Sequence, residues 1–260
     1  MNSNIYVITH KPFSLNLPKG YKKLMVGSDK SKIKLEGYIY DNEGENISFK
    51  NSTYCEMTGL YWMWKNAKSD YIGLCHYRRY FQRRAVFECS DGPLTISMLN
   101  SILEGNDCIV AKRIYVDRKE RNIYGQYCIN HSKADLKVLT SILQKNDKKY
   151  DHAFATVMHR DYFYPYNMFY SSRELMCDYC KWLFPLLDTC EQMIDISNYD
   201  IYQKRIYGFF AERLFNVWLL ANKKTVREVP VIQIDTNIKQ RALFYKSQVF
   251  HYLFDCLTRK

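Results

Sequence analysis

The chain has 260 residues, 47% of them hydrophobic and 25% charged, which is typical of a folded globular protein and excludes a disordered one. Its formal net charge of +11 indicates an anionic partner: a nucleic acid, an acidic lipid surface or a phosphorylated small molecule. No apolar run has the length of a secretory or membrane-spanning segment, and the nine cysteines lack zinc-type spacing. We therefore expect a cytoplasmic protein with reduced thiols.

Strands and helices are predicted to alternate along the first half of the chain. The predicted elements are a strand at Asn4–Thr9, a strand at Lys23–Val26, a polar turn at Asp41–Asn46, a helix at Tyr54–Lys68 and a strand ending at His76. Thr53 and Glu56 have the spacing of a capping box, which would start the helix.

The second half continues the same alternation. It is predicted to contain a helix at Thr95–Leu103, a strand at Cys108–Ala111, a helix at Ala134–Gln144, a strand at Asn167–Tyr170, helices at Arg173–Met193 and Asp200–Asn222, and a strand at Val226–Ile234. Alternation of this kind predicts an α/β fold with a mostly parallel sheet flanked by helices. We find no repeat or linker, so residues 1–236 are expected to form one domain.

Residues 237–260 are predicted to form a basic amphipathic helix. Its apolar residues recur at helical spacing: Leu243, Phe250, Leu253, Phe254 and Leu257. Its positive charges are supplied by Lys239, Arg241, Lys246, Arg259 and Lys260. Such a helix either lies on an anionic membrane surface or packs its apolar stripe on the domain, and packing is the commoner outcome.

The segment from Asp70 to Phe81 carries the strongest functional signal. An apolar strand ends there in His76, Arg78 and Arg79. The carboxyl ends of strands in open α/β sheets are where ligands bind, and an arginine guanidinium pairs with two phosphate oxygens at once. An exposed basic loop after a core strand is the alternative.

Other segments contain polar side chains that fit a ligand site. Asn51 and Glu56 lie near a predicted helix start, whose free N–H groups attract anions. Glu212 lies seven residues after Arg205, so both would occupy nearly one helical face, either facing a cleft, exposed, or paired with each other. Gly208 between them indicates close approach of a ligand or another backbone.

Standard phosphate-loop, dinucleotide, zinc-protease and serine-hydrolase motifs are absent from the sequence, as is any Asp-x-Asp pair for a divalent metal. The chain instead resembles the capsular and exopolysaccharide glycosyltransferases grouped as domain of unknown function 4422, which include galactofuranosyltransferase-like members. The resemblance covers about residues 4 to 234. It is carried by Thr9-His10-Lys11-Pro12, Asn51-x-x-Tyr54-Cys55-Glu56-x-Thr58, Gly73-Leu74-Cys75-His76-Tyr77-Arg78-Arg79, Tyr166-Asn167-Met168-Phe169 and Arg205-x-x-Gly208-Phe209-x-x-Glu212-Arg213.

This resemblance implies a GT-A-like nucleotide-sugar-binding domain that moves a hexose, galactose or galactofuranose favoured, from a UDP-sugar donor to a saccharide acceptor, often lipid-linked. Residues expected to bind the donor are Thr9, His10, Lys11, Gly27, Asn51, Glu56, Arg78 and Arg79; those expected to bind the acceptor are Tyr166, Asn167, Arg205 and Arg213. His76, Arg78 and Arg79, with Lys11 as a further candidate, would replace or assist a divalent metal ion such as Mn²⁺ or Mg²⁺ in neutralising the departing diphosphate.

An inverting transfer needs a carboxylate that accepts the proton of the acceptor hydroxyl. Glu212 is the first candidate, Asp200 the second and Asp41 the third, with His76 as a further catalytic residue. Two other classes of function stay open: a protein that binds single-stranded nucleic acid through Tyr and Arg side chains, and a sugar-binding module without catalysis. The basic residues are not concentrated on one segment, so nucleic acid is not the expected partner.

Overall fold

One large mixed sheet organises the fold in the computed structural model, which describes residues 2–30, 34–83 and 92–258. The strands are β1 (Ser3–Thr9), β2 (Tyr21–Met25), β3 (Tyr38–Tyr40), β4 (Tyr71–His76), β5 (Arg79–Phe81), β6 (Cys108–Ala111), β7 (Ile114–Tyr115), β8 (Tyr162–Phe163), β9 (Phe169–Ser172), β10 (Val226–Val229) and β11 (Val231–Gln233). The helices are α1 (Asn51–Tyr54), α2 (Met57–Asn66), α3 (Ile96–Leu103), α4 (Ile123–Asn130), α5 (Lys133–Asn146), α6 (Lys148–Met158), α7 (Arg173–Met193), α8 (Ile206–Ala221) and α9 (Ile238–Thr258).

The strand order in the sheet is β10-β6-β9-β4-β1-β2-β3, with β5 and β11 attached beside β4. Parallel pairing joins β1 to β2 and β4, β2 to β3, and β6 to β10. Strand β9 runs antiparallel between β4 and β6. The carboxyl ends of the parallel strands therefore share one edge of the sheet with the beginning of β9, and we call this the carboxyl edge.

Alternating residues of β1 show how the sheet separates two cores. Tyr6 and Ile8 face the layer that contains α2, α5, α6, α7 and α8, while Ile5 and Val7 face the layer that contains α3 and β5. All four side chains are buried. A strand buried on both faces has an unbroken apolar sequence, as residues 5–8 do.

The predicted α/β class with a mostly parallel, helix-flanked sheet and a C-terminal helix is confirmed.

The predicted capping box is wrong. The helix breaks at Cys55, whose φ of +52° lies in the left-handed region. Thr53 donates through Oγ1 to the Lys50 carbonyl instead of capping, and the Glu56 side chain accepts a hydrogen bond from Asn167. The break frees Glu56 for a contact outside its own helix.

Helix α9 packs on the domain through side chains other than Leu243 and Phe250 of the predicted apolar stripe. Its Tyr245 hydroxyl donates to the Val231 carbonyl at 2.8 Å, and Gln248 Oε1 accepts from the Tyr115 N–H at 2.6 Å. Leu243 and Phe250 of the predicted stripe are 65% and 59% exposed. The remaining residues of the stripe and the two terminal charges lie outside the described side chains, namely Leu253, Phe254, Leu257, Arg259 and Lys260.

None of the helices in the described part of the chain is both long enough and apolar enough to cross a membrane.

Candidate functional site

The carboxyl edge gathers most of the residues that the sequence nominates. Thr9 ends β1, Gly27 follows β2 within two residues, Asp41 directly follows β3, and His76 ends β4. Because β9 runs in the opposite direction, its first residues reach the same edge, and Asn167 precedes it by two positions. The topology thus brings together five segments that are far apart in sequence.

Three side chains converge on the dipeptide Tyr166-Asn167. His76 Nε2 lies 2.7 Å from the Tyr166 carbonyl oxygen, and Glu212 Oε1 accepts the Tyr166 N–H at 2.7 Å. Asn167 Nδ2 donates to Glu56 Oε1 at 2.9 Å. A carbonyl oxygen only accepts hydrogen bonds, so His76 carries its proton on Nε2 when it is neutral. We call these five residues the carboxylate cluster.

The dipeptide is held in a conformation that residues with a side chain rarely adopt. Tyr166 has φ +73° and Asn167 has φ +54°, both in the left-handed region. Each such residue costs about 1 kcal/mol or more, and the surrounding contacts must compensate. Asn167 is buried, and its Oδ1 has no hydrogen-bond partner among the described residues. A buried amide oxygen without a donor is an unsatisfied acceptor, which a water molecule or a ligand hydroxyl would satisfy.

Electrostatics keep His76 uncharged at neutral pH. Burial is the main cause and lowers the pKa of His76, and the positive charge of Arg79 adds to this effect. The carboxylates of Glu56 and Glu212 and the hydrogen bond to Tyr166 oppose it. A neutral imidazole with a fixed Nε2–H positions the Tyr166 backbone instead of supplying a positive charge.

A second group of residues surrounds the ring of Tyr77, and we call it the cationic cluster. The Lys11 Nζ and the Arg78 Cζ lie 5.5 Å and 4.9 Å from the ring centroid, and the His10 ring meets Tyr77 edge-on at 5.4 Å. Burial first, then the charges of Lys11, Arg78 and Arg205, lowers the pKa of His10. The cations are thus close enough to repel further positive charge and to attract an anion.

Thr9 and Arg78 shape the cationic cluster. Thr9 is buried, and its hydroxyl contacts both the carbonyl and the N–H of Lys11, which fixes the turn after β1. Arg78 forms an ion pair with Asp235 at 2.7 Å, and its side chain is 43% exposed. An exposed pair of this kind contributes little stability and leaves the guanidinium accessible to a ligand.

The two consecutive arginines after β4 point to different places. Arg79 lies over the Tyr166 ring at 4.4 Å, and its Nε is buried without a partner in the described part of the chain. It also lines a cavity of about 150 Å³ between β11 and helix α9, together with Tyr166 and Arg241. The structure therefore associates Arg78 with the cationic cluster and Arg79 with the carboxylate cluster.

Arg205 connects the two clusters. Its Nε donates to Cys55 Sγ at 3.1 Å, and its charge acts on both His10 and Cys55. Burial, with a smaller effect of Glu56, raises the pKa of Cys55 to about 11 against the opposing effect of Arg205, so the thiol stays protonated. Gly208 permits this approach, since a Cβ there would lie 3.3 Å from the Cys55 Cβ. The nearest neighbour at Gly208 is therefore the Cys55 side chain, and the Tyr54 carbonyl oxygen follows at 3.6 Å.

Asp41, the third candidate base, has a structural role. Its side chain is fully buried and accepts the N–H groups of Gly27 and Ser28 at 2.9 and 3.0 Å and the hydroxyls of Ser48 and Thr58 at 2.5 and 2.7 Å. A carboxylate with four donors is not free to take a proton from a substrate. It holds the loop after β2 in place.

Gly27 and Asn51 meet beside this loop. Gly27 has φ +68°, and a Cβ there would lie 2.7 Å from Asn51 Oδ1, so only glycine fits. Asn51 donates to the Cys55 carbonyl at 2.8 Å and to Thr58 Oγ1 at 3.0 Å. Asn51 thus connects the loop after β2 with the helix break that positions Glu56.

Arg213 and Asp200 lie apart from the open face of the site. Arg213 is 3% exposed and donates to Glu212 Oε2 at 2.8 Å and to Gln126 Oε1 at 2.6 Å. A side chain buried in this way supports Glu212 and does not touch an acceptor. Asp200 is exposed, and its Oδ1 accepts the Gln203 N–H at 2.7 Å, at the start of a short 3₁₀ helix (Gln203–Arg205) before α8.

Comparison with known proteins identifies the family. The model of the family described as domain of unknown function DUF4422 matches residues 4–223. The chain belongs to the DUF4422 family. A solved structure titled as the apo form of the WbbM bifunctional glycosyltransferase matches 91% of this chain with a TM-score of 0.81 and 30% sequence identity. The DUF4422 chain covers 46% of that protein, about half of its length. A search of curated protein sequences gives no match.

The described side chains of this DUF4422 protein do not include a group that fits a metal ion held by the protein. Asp41, which directly follows a strand of the carboxyl edge, is saturated by four donors. Within the described ranges, no group of three or more His, Cys, Asp or Glu side chains could hold a metal.

Several residues of the site were not nominated from the sequence. Tyr77 and Cys55 both lie within motifs that carry the family resemblance, but the sequence assigns neither of them a role. No sequence pattern indicates Asp235 or Gln126. Asp235 pairs with Arg78 across 157 positions, and Gln126 on α4 accepts a hydrogen bond from Arg213 on α8. Contacts over such separations become visible only once the sheet topology is known.

Proposed function

We propose that this DUF4422 protein is a glycosyltransferase that moves a hexose, galactose or galactofuranose, from a UDP-sugar to a saccharide acceptor in the synthesis of capsule, exopolysaccharide or O-antigen. The fold similarity to a protein titled as a bifunctional glycosyltransferase, at 30% identity, supports the transferase class. Family membership over residues 4–223 supports the same class. Since this chain covers 46% of that protein, the choice of sugar, nucleotide and pathway is our proposal for this chain alone.

One observation carries the proposal: a cationic cluster and a carboxylate cluster lie next to each other at the carboxyl edge, connected by Arg205. Glycosyl transfer needs both, because the departing diphosphate gains negative charge while the attacking hydroxyl loses a proton. We assign the diphosphate to Lys11, Arg78 and Arg205. The sugar would lie between the clusters, where the free Oδ1 of Asn167 can accept a hydroxyl proton.

A thermal-shift screen tests the donor site. Purified protein is measured with the diphosphates of uridine, guanosine and cytidine and with their sugars, each with Mn²⁺ and with a chelator. We expect stabilisation by the uridine compounds that survives in the chelator. Arg78→Gln should weaken this binding about tenfold, because one charge-assisted phosphate contact is lost. Lys181→Gln, which removes an exposed charge on α7, is the matched control and should bind normally.

The other classes of function predict different results. A nucleic-acid-binding protein would show no preference among the sugar nucleotides and would bind single-stranded oligonucleotides with steep salt dependence. A sugar-binding module would bind the donor without transfer to any saccharide. Nucleotide-selective binding together with turnover would support the transferase, and either of the other patterns would refute it.

We further propose that helix α9 places this protein on the cytoplasmic face of an anionic membrane, where lipid-linked acceptors are found. Arg241, Tyr245 and Gln248 lie on the face that packs on the domain. On the opposite face, exposed apolar residues alternate with cations at helical spacing: Lys239, Leu243, Lys246 and Phe250. Residues 238–250 contain three cations and no acid. The cations would contact acidic lipid headgroups, and the exposed apolar side chains would enter the boundary between the headgroups and the acyl chains.

Vesicle sedimentation tests the membrane proposal with the full chain. We expect binding to phosphatidylglycerol vesicles and much weaker binding to phosphatidylcholine vesicles. The pair Leu243→Gln and Phe250→Gln should release the protein. Ile201→Gln, at an apolar residue that is 89% exposed elsewhere on the surface, should not. Binding that is unaffected by the pair would refute the role of this helix face.

A further inference from the structure

We propose that Glu56, and not Glu212, is the carboxylate that accepts the proton of the attacking hydroxyl, and that Glu212 is a positioning residue. This inference rests on the proposed transferase function. It reverses the roles that the sequence predicts, in which Glu212 is the first candidate base and Glu56 binds the donor. The contacts of the two carboxylates decide between them.

Both oxygens of Glu212 are already engaged by groups of the protein. Oε1 accepts the Tyr166 N–H at 2.7 Å, and Oε2 accepts from Arg213 at 2.8 Å. Arg213 is buried and fixed further by Gln126. Protonation of Glu212 would weaken an ion pair whose cation has no access to water, and it would disturb the strained backbone at Tyr166. Glu212 therefore holds the Tyr166 backbone and the Arg213 side chain in place.

Glu56 has one oxygen fixed and one oxygen open. Oε1 accepts from Asn167 Nδ2 at 2.9 Å, and Oε2 accepts no hydrogen bond from any residue in the described ranges. The side chain is half-buried, so a substrate hydroxyl can reach it. A carboxylate oriented through one oxygen and free at the other has the arrangement that general-base catalysis requires.

The groups around Glu56 suit both the departing diphosphate and the attacking hydroxyl. On one side, Arg205 and the cationic cluster would hold the diphosphate, and the charges of Arg205 and Glu56 act on each other. On the other side, the unpartnered Oδ1 of buried Asn167 lies on the same amide group that orients Glu56. A sugar hydroxyl that donates to this oxygen would be held beside the open Oε2 of Glu56.

The balanced step is a direct displacement. The acceptor hydroxyl oxygen forms a bond to the anomeric carbon, and the bond from that carbon to the diphosphate oxygen breaks with both electrons leaving on the diphosphate. The hydroxyl proton moves to Glu56 Oε2 and is later released to water. The anomeric configuration is inverted, because the nucleophile attacks opposite the leaving group.

Three isosteric variants test the assignment in the full chain: Glu56→Gln, Glu212→Gln and the control Glu45→Gln, which changes an exposed carboxylate near α2. Transfer from the donor identified by the thermal-shift screen is followed over a range of acceptor concentrations up to saturation, and donor affinity and circular dichroism are measured in parallel. We expect Glu56→Gln to lower kcat by about 10³-fold with donor affinity unchanged. Glu212→Gln should raise the KM for the acceptor and lower the melting temperature, with kcat reduced less than about tenfold. The control should match the wild type.

The shorter carboxylate variant Glu56→Asp keeps the measurement informative if Glu56→Gln folds poorly, and it should retain more activity than Glu56→Gln. A normal kcat in Glu56→Gln, a larger loss of kcat in Glu212→Gln, or a product with retained configuration would each overturn the assignment. Absence of transfer by the wild-type protein with every sugar nucleotide would instead refute the proposed function, and with it this inference.

Discussion

The ion pair between Glu212 and Arg213 gives the sharpest stability prediction. Arg213 lies between the rings of Tyr127 and Phe163, with its Cζ 5.5 and 5.3 Å from their centroids. Arg213→Met preserves most of this apolar packing and removes only the charge and its hydrogen bonds. The Glu212 carboxylate then loses a partner at 2.8 Å, and Gln126 loses one at 2.6 Å.

The expected loss of stability follows from burial. Removing one partner of a buried ion pair costs about 3–5 kcal/mol, because the remaining charge is left uncompensated. The Glu212 side chain keeps 22% of its surface exposed, so water recovers part of this energy. We therefore expect about 3 kcal/mol, which lowers the melting temperature of a domain of this size by roughly 6–12 °C.

Urea denaturation and thermal melting at neutral pH measure this effect. Arg227→Met, at an exposed arginine of β10, is the matched control and should change the free energy of unfolding by less than about 0.5 kcal/mol. The double variant Glu212→Gln/Arg213→Met should lose less free energy of unfolding than the two single variants lose together, because no lone charge remains buried in it. A loss below about 1 kcal/mol in Arg213→Met, or strictly additive losses, would refute the reasoning.

Three further predictions concern stability. Asp41→Ala should destabilise the protein by about 3 kcal/mol in urea denaturation, because four donors lose a buried acceptor; a neutral effect would contradict the assigned role. Gly73→Ala should cost about 1–3 kcal/mol, since its Cβ would lie 2.9 Å from the Phe169 carbonyl oxygen in the neighbouring strand; an unchanged melting temperature would show that the strands can separate. Burial, opposed by the hydrogen bond to Gln203, lowers the pKa of His131 to about 4. The unfolded chain takes up this proton near pH 6.5, so stability is highest above that pH and falls towards pH 4, by about 1–2 kcal/mol after allowance for partial exposure. His131→Phe keeps the stacking on Phe209 and should flatten this part of the pH profile; an identical profile would exclude His131 as the source.

The sequence predicts the framework well where the pattern is local. Helix Arg173–Met193 has the predicted ends, and the core strands at Asn4–Thr9 and Cys108–Ala111 agree within one residue. Short or irregular pieces were missed, namely β3, β5, β7, β8, α4 and α6. Two or three residues carry too little periodicity to reveal a strand, and pairing with a distant neighbour decides their conformation.

The sequence nominates residues that the topology brings to one edge of the sheet, and it gives no information about the contacts among them. The position of His76 at the end of a strand is the local signal that points to this edge. The roles of Glu56 and Glu212 depend on which oxygen of each carboxylate is already hydrogen-bonded, through contacts that span 111 and 46 positions. Sequence spacing places both residues on helices and gives no information about such contacts. The predicted capping box even assigned Glu56 to its own helix, which is where the prediction failed.

The contacts at Tyr166 have a consequence for how the protein can evolve. His76 and Glu212 bind the carbonyl and the N–H of this residue, while its ring contacts Arg79. Position 166 can therefore exchange tyrosine for another residue that tolerates a positive φ, such as asparagine or glycine, without dismantling the carboxylates. The side chain at position 166 and the backbone contacts of His76 and Glu212 can therefore vary separately. A lineage could change this side chain in single steps while the arrangement of the two groups on the backbone stays constant.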